Sequence, residues 1–216
     1  MTTQEKNGIT EGVIWKQLLI FFFPILVGSF FQQLYNTVDS VIVGQFVGKE
    51  ALSSVGGSAG QIISLVVGFF TGVSTGATVI ISQYFGAGKK EEIEESLHTA
   101  YAFALVGGLV LGIAGIVFAP QMLRWMNTPE ELIAESVLYV RVYFSGLIFI
   151  FIYNMGAAIL RAVGDSKRPL YYLIVCSVVN IILDLLLILV IPLGVLGAAI
   201  ATLIAQAVSA LSLIHI

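Results

Sequence analysis

Charge is scarce in this 216-residue chain. Only 11% of its residues are Asp, Glu, Lys or Arg, against about 25% in a soluble domain. Cysteine is scarcer still. Cys176 stands alone, which excludes an internal disulfide, and no CxxC or Cys/His cluster suggests a metal site. There is no basic excess either: the net charge of −3 argues against a nucleic-acid partner. What fills the chain instead is apolar, with 58% hydrophobic residues and a mean hydropathy of +0.99. A soluble fold of this size still exposes roughly 30% of its unfolded-state surface, too much for such a composition. A soluble enzyme, a disordered linker and a nucleic-acid binder are therefore excluded, and a polytopic membrane protein remains.

A membrane-crossing helix needs about 20 mostly apolar residues. Stretches without charge cover residues 17–38, 51–88, 96–123 and 142–160, and residues 169–191 are interrupted only by Asp184. Pro192 and Gly194 then break the chain before a sixth span near Val195. Glycine and all-round hydrophobicity, without in–out alternation, favour helices over a barrel. The apolar run after Lys16 is longer than a signal peptide core and lacks a cleavage site, so it reads as a retained first helix. With the N-terminus inside, Lys6, Lys16, Lys89, Lys90, Arg161, Lys167 and Arg168 face the cytoplasm, and only Lys49, Arg124 and Arg141 face outward. That bias predicts an all-α protein of six transmembrane helices, multi-pass in the inner (plasma) membrane, with residues 1–16 cytoplasmic and both ends inside.

Local chemistry adds further expectations. Thr128, Pro129 and Glu131 have capping-box spacing for the start of helix four. Glu91 to Glu95 suit the positive start of helix three. Pro24 predicts a kink in helix one. Gly68, Gly72 and Gly76 on helix two, and Gly108 and Gly112 on helix three, read as stripes for close helix packing.

Asp39 and Asp184 lie deep in apolar runs. Each costs about 2.5–3.5 kcal/mol to insert at the bilayer centre. A hydrogen bond to a neighbouring helix is the bland account of each; an ion or substrate path is the sharper one. Gln32, Tyr35, Asn36 and Asp39 recur at three and four residues, one stripe on helix one. Asn180 and Asp184 share a face of helix five, Thr202 and Gln206 a face of helix six, and Asn154 sits in helix four. Tyr139, near the outer end of helix four, is within reach of the same polar pocket. Pooled, these give two carboxylates with amide and hydroxyl oxygens, suited to Na⁺ or to a proton shared by coupled acids. Other features carry less. The run Phe85-Gly86-Ala87-Gly88-Lys89-Lys90 lacks P-loop spacing. His98 reads as interfacial, and Arg141 as snorkelling outward. An intramembrane aspartyl protease would need a glycine where Ala162 precedes Val163-Gly164-Asp165, and a passive channel predicts no gradient dependence.

Four stretches together resemble the N-terminal half of the multidrug and toxic compound extrusion family. They are Pro24 to Gly48 with Phe31-Gln32-Gln33-Leu34-Tyr35-Asn36-Thr37-Val38-Asp39; Ser82-Gln83-Tyr84-Phe85-Gly86-Ala87-Gly88-Lys89; Leu160-Arg161-Ala162-Val163-Gly164-Asp165-Ser166-Lys167-Arg168-Pro169; and Asn180 to Asp184 with Gly194 to Thr202 beyond. The resemblance implies one lobe of a twelve-helix, two-lobe antiporter rather than an enzyme. It implies export of amphipathic organic cations against inward Na⁺ or H⁺, with no other cofactor. It further implies that Asp39, Asn180, Asp184 and Thr202 bind the coupling cation. A lipid-linked oligosaccharide flippase of the same superfamily is the alternative, but such a cavity would need cationic side chains for a diphosphate, and no Lys or Arg lies deep in a span. The chain ends in its sixth span, so the C-terminal six-helix lobe is expected to be missing and this polypeptide alone is not expected to transport. Residues 211–216 match the translation of CTG TCT CTT ATA CAC ATC, the mosaic end of a transposon-based sequencing adapter. The expectation is a six-helix lobe over residues 17–210, with an adapter-derived tail and no role for His215.

Overall fold

The computed structural model describes residues 13–214, so Lys6, most of the 1–16 segment and His215 lie outside the described residues. The described chain is helical: α1 (Ile14–Ile42), α2 (Lys49–Gly56), α3 (Ser58–Gly86), α4 (Lys90–Trp125), α5 (Glu130–Ser145), α6 (Leu147–Ala162), α7 (Lys167–Asp184) and α8 (Val195–Ile214). Two π-helical turns extend α1 (Val43–Val47) and α7 (Leu185–Val190). Five helical stretches are long and apolar enough to cross a bilayer, and α5 with α6, bent by 50°, makes a sixth. Long apolar side chains such as Phe23, Leu65, Val106 and Val190 remain 63–73% exposed. In water such a surface would aggregate or bind a partner; in lipid it meets its own kind.

Three helix ends close in one way. At α3, Gly88 takes φ 70° and Lys89 N–H bonds to Tyr84 O at 3.0 Å; at α6, Gly164 takes φ 91° and Asp165 N–H bonds to Leu160 O at 2.9 Å. At α4 the left-handed residue is Asn127, φ 53°, and Thr128 N–H bonds back to Leu123 O at 3.1 Å. These are Schellman closures, which satisfy carbonyls a helix end leaves open. The last one corrects the expected capping box. Thr128 serves the helix before it, α5 is capped by Pro129 with no side-chain bond, and the Thr128 hydroxyl has no partner among the described residues. Asp165 instead caps α7: its Oδ1 accepts from the backbone N–H groups of Lys167 and Arg168, both at 3.1 Å, while Oδ2 pairs with Arg168 Nε at 3.1 Å.

The two glycine stripes part ways. A Cβ on Gly108 would lie 2.8 Å from Ile148 Cα, one on Gly112 2.9 Å from Phe144 O, and one on Gly115 1.7 Å from the Phe144 ring. This groove on α4 receives the elbow where α5 meets α6 at Ser145 and Gly146, a bend the sequence reading of one helix over 142–160 did not contain. The Ser145 hydroxyl bonds to Val142 O at 2.6 Å, a side-chain competitor for the backbone that favours a helix end there. Beside the elbow, Phe70 and Phe151 stack with centroids 3.6 Å apart. Among the described residues, the stripe on α3 receives no neighbouring helix. Gly68, Gly72 and Gly76 have no neighbour within 4 Å of where a Cβ would sit, which corrects the packing role expected for them. Helix α1 passes through Pro24 without a break, and its departure from α geometry falls at Val43–Val47.

Candidate functional site

Helices α1 and α7 run side by side in the same direction. Leu170 and Leu173, near the start of α7, lie against Gly28 midway along α1, and farther on Gly194 approaches Val47. The parallel course fixes the neighbours of the two acids. Asp39 lies one turn before the first π turn, and Asp184 immediately before the second. Both π turns close with bonds five residues long: Gly48 N–H to Val43 O at 3.1 Å and Ile191 N–H to Leu186 O at 3.0 Å. Such turns are rare and gather at functional sites.

Asp39 and Asp184 adjoin, close enough to interact electrostatically. Asn180 and Asp184 are both 0% exposed, and Thr202, from α8, is 4% exposed. Asn180 Nδ2 donates to Thr202 Oγ1 over a long 3.5 Å. The remaining oxygens are open. Asp39 Oδ1, Asn180 Oδ1 and both Asp184 oxygens have no hydrogen-bond partner among the described residues. Buried oxygens without donors carry the full cost of lost hydration. Their chemistry is uniform: hard, acceptor-only oxygen, able to hold a small cation or a shared proton. No group of three or more His, Cys, Asp or Glu side chains converges among the described residues.

In front of this cluster opens a cavity of about 610 Å³. The α1 stripe forms one wall, with Gln32, Tyr35, Asn36, Asp39 and Ser40; α8 adds Thr202 and Gln206. Helix α5 adds Tyr139 and Tyr143, and α3 adds Ser64, Gly68 and Thr71. Asp39 is the one charged residue in this lining. Asn180 and Asp184 are fully buried and do not themselves line the cavity; their neighbours Asp39 and Thr202 do. Asn154 does not join the lining: its Nδ2 is spent on Ile150 O of its own helix at 2.8 Å. Arg141 also turns away, its Nε donating to Ile116 O of α4 at 3.2 Å.

The sequence reading missed Tyr143 and the α3 wall. Tyr143 follows Tyr139 by four residues and so shares its face. Ser64, Gly68 and Thr71 recur at four and three residues, a polar and small stripe whose glycine alone drew attention.

The MatE family model matches residues 24–186. The chain is 34% identical over 208 residues to a probable multidrug resistance protein of Bacillus subtilis, covering 94% of this chain and 44% of that protein. It is 26% identical over 215 residues to a multidrug export protein of Staphylococcus saprophyticus, covering 98% of this chain and 47% of that one. Among solved structures it superimposes, with TM-score 0.92 and 27% identity, on an outward-facing multidrug resistance MATE family transporter of the MOP superfamily, covering 100% of this chain and 47% of the other. The chain thus spans about half the length of the relatives it matches. With the family model across most of its residues and the lobe fold shared from end to end, the chain belongs to the MatE family, the multidrug and toxic compound extrusion transporters.

Proposed function

We propose that this chain is the cation-binding N-terminal lobe of a secondary antiporter that exports amphipathic organic cations in exchange for inward Na⁺ or H⁺. Asp39, Asn180, Asp184 and Thr202 hold the coupling ion, and the cavity lined by Gln32, Tyr35, Asn36, Tyr139 and Gln206 holds the exported molecule. A second six-helix lobe faces the cavity, and the pair alternates access across the inner membrane, with the N-terminus in the cytoplasm. The observation that carries this reading is the cluster of acceptor oxygens without donors around two adjoining carboxylates inside apolar helices. A carboxylate pair in that setting gains stability when a positive charge joins it, and the ion gradient can then do work on the lobe. The polarity of the cavity supports a cationic substrate. Among the described residues its lining holds Asp39 and neither Lys nor Arg, whereas a flippase for a diphosphate-linked sugar would need cations there.

The test is ethidium efflux from cells expressing the full-length protein, with the sodium and proton gradients collapsed separately. Loss of efflux with one gradient names the coupling ion; efflux indifferent to both rejects antiport. Asp39→Asn is expected to abolish efflux while membrane insertion stays at wild-type level. Undiminished efflux in that variant removes the acid from the mechanism.

A further inference from the structure

The cavity presents three tyrosines. Tyr139 is 6% exposed, Tyr35 and Tyr143 are half-buried, and the Tyr139 and Tyr143 ring centroids lie 6.2 Å apart, tilted by 38°. Elsewhere a tyrosine hydroxyl is used to hold helices together, as Tyr153 donates to Pro169 O at 3.2 Å and ties α6 to α7. Tyr143 makes no such bond among the described residues. Tyr143 lines the cavity together with Asp39, and its hydroxyl lies within electrostatic range of that carboxylate. An aromatic face is electron-rich and attracts a cation within about 6 Å of its centre, more strongly where water is excluded. A cavity lined by a carboxylate and two tyrosines can select by charge and by shape at once. It repels anions, and it favours a broad cation over a compact one that the carboxylate alone would hold.

We infer that Tyr143 is a specificity-determining residue of this cavity. Its ring, backed by that of Tyr139, presents a π face to a delocalised organic cation whose counter-charge is Asp39. This rests on the cavity being the site of the exported cation. The hydroxyl is dispensable and the ring is not. The role therefore separates cleanly from one in which Tyr143 hydrogen-bonds the ligand or merely fills space.

Ethidium binding to the full-length protein in lipid nanodiscs, read by fluorescence anisotropy, tests it. Tyr143→Phe is expected to bind within about threefold of wild type and Tyr143→Leu about tenfold more weakly. Replacing Tyr143 by phenylalanines of increasing fluorination, which keep the ring shape and drain its face of charge, is expected to weaken binding step by step. Wild-type affinity in Tyr143→Leu, equal losses in Tyr143→Phe and Tyr143→Leu, or a flat fluorination series overturns the inference. Asp39→Asn measured alongside separates the two levels. Loss of binding there with a flat series rejects Tyr143 and leaves the antiporter reading standing. A wild-type full-length protein that binds no ethidium rejects the cavity as a cation site and Tyr143 with it.

Discussion

A carboxylate held in hydrocarbon is tolerated only where something offsets its lost hydration. Among the described residues, Asp39 Oδ1 and both Asp184 oxygens have no hydrogen-bond partner, and Asn180 and Thr202 share only a long bond of 3.5 Å. The cluster is thus left with open acceptor oxygens, which is the ground for the ion site proposed above. Asp184→Asn, nearly equal in shape, is expected to weaken sodium or proton binding by at least about tenfold, or about 1.4 kcal/mol, without loss of fold. Calorimetric titration of the purified full-length protein checks it, and wild-type affinity would detach Asp184 from the site. Much of this residue-scale pattern was legible in the sequence. Asp39, Asn180, Asp184 and Thr202 stand out because a polar group inside an apolar run is costly whatever surrounds it. Asn154 misled for the same reason. Its amide found a carbonyl on its own helix, a bond that hydropathy and spacing do not distinguish from a cavity-facing side chain.

Between elements, contacts in lipid depend on close packing, because tails are as apolar as the side chains they would replace. The glycines of α4 show this, since the elbow fits only where no Cβ stands. Gly115→Ala is expected to destabilise the lobe by about 1–3 kcal/mol through overpacking against Phe144. Gly72→Ala, with open space around it, is expected to be neutral or to stabilise by up to about 1 kcal/mol, as alanine favours the helix. Thermal unfolding in detergent compares the two, and equal effects would refute the assignment of the packed stripe to α4. At the α6–α7 connection, Asp165→Ala is expected to cost about 0.5–2 kcal/mol as a lost helix cap. Asp165→Asn should restore most of it in the same assay. Periodicity revealed both glycine stripes equally; only the neighbouring backbone tells which one is filled.

For the molecule as a whole, the six spans and their parallel α1–α7 pairing put the two acids at one depth on one side of a cavity. The distribution of lysine and arginine is the basis for the orientation proposed for that assembly, with the N-terminus in the cytoplasm. In a Cys176→Ser background, an impermeant maleimide applied to intact cells is expected to label Asn127→Cys. It should label Lys89→Cys only after permeabilisation. The reverse pattern would invert the topology and place the acids nearer the opposite face.

The solvent, the number of spans, their order and the identity of the costly polar residues were all readable from the chain before any folding. Each follows from run length, composition or helical period, which are local properties. Packing settled the rest. Thr128 closes the helix behind it, the α4 glycines and not those of α3 receive a neighbour, the fourth span bends at Gly146, and Tyr143 joins the cavity while Asn154 leaves it. A helix can be rotated about its axis without altering its sequence pattern, so the direction a stripe faces is set by how helices distant in sequence pack together.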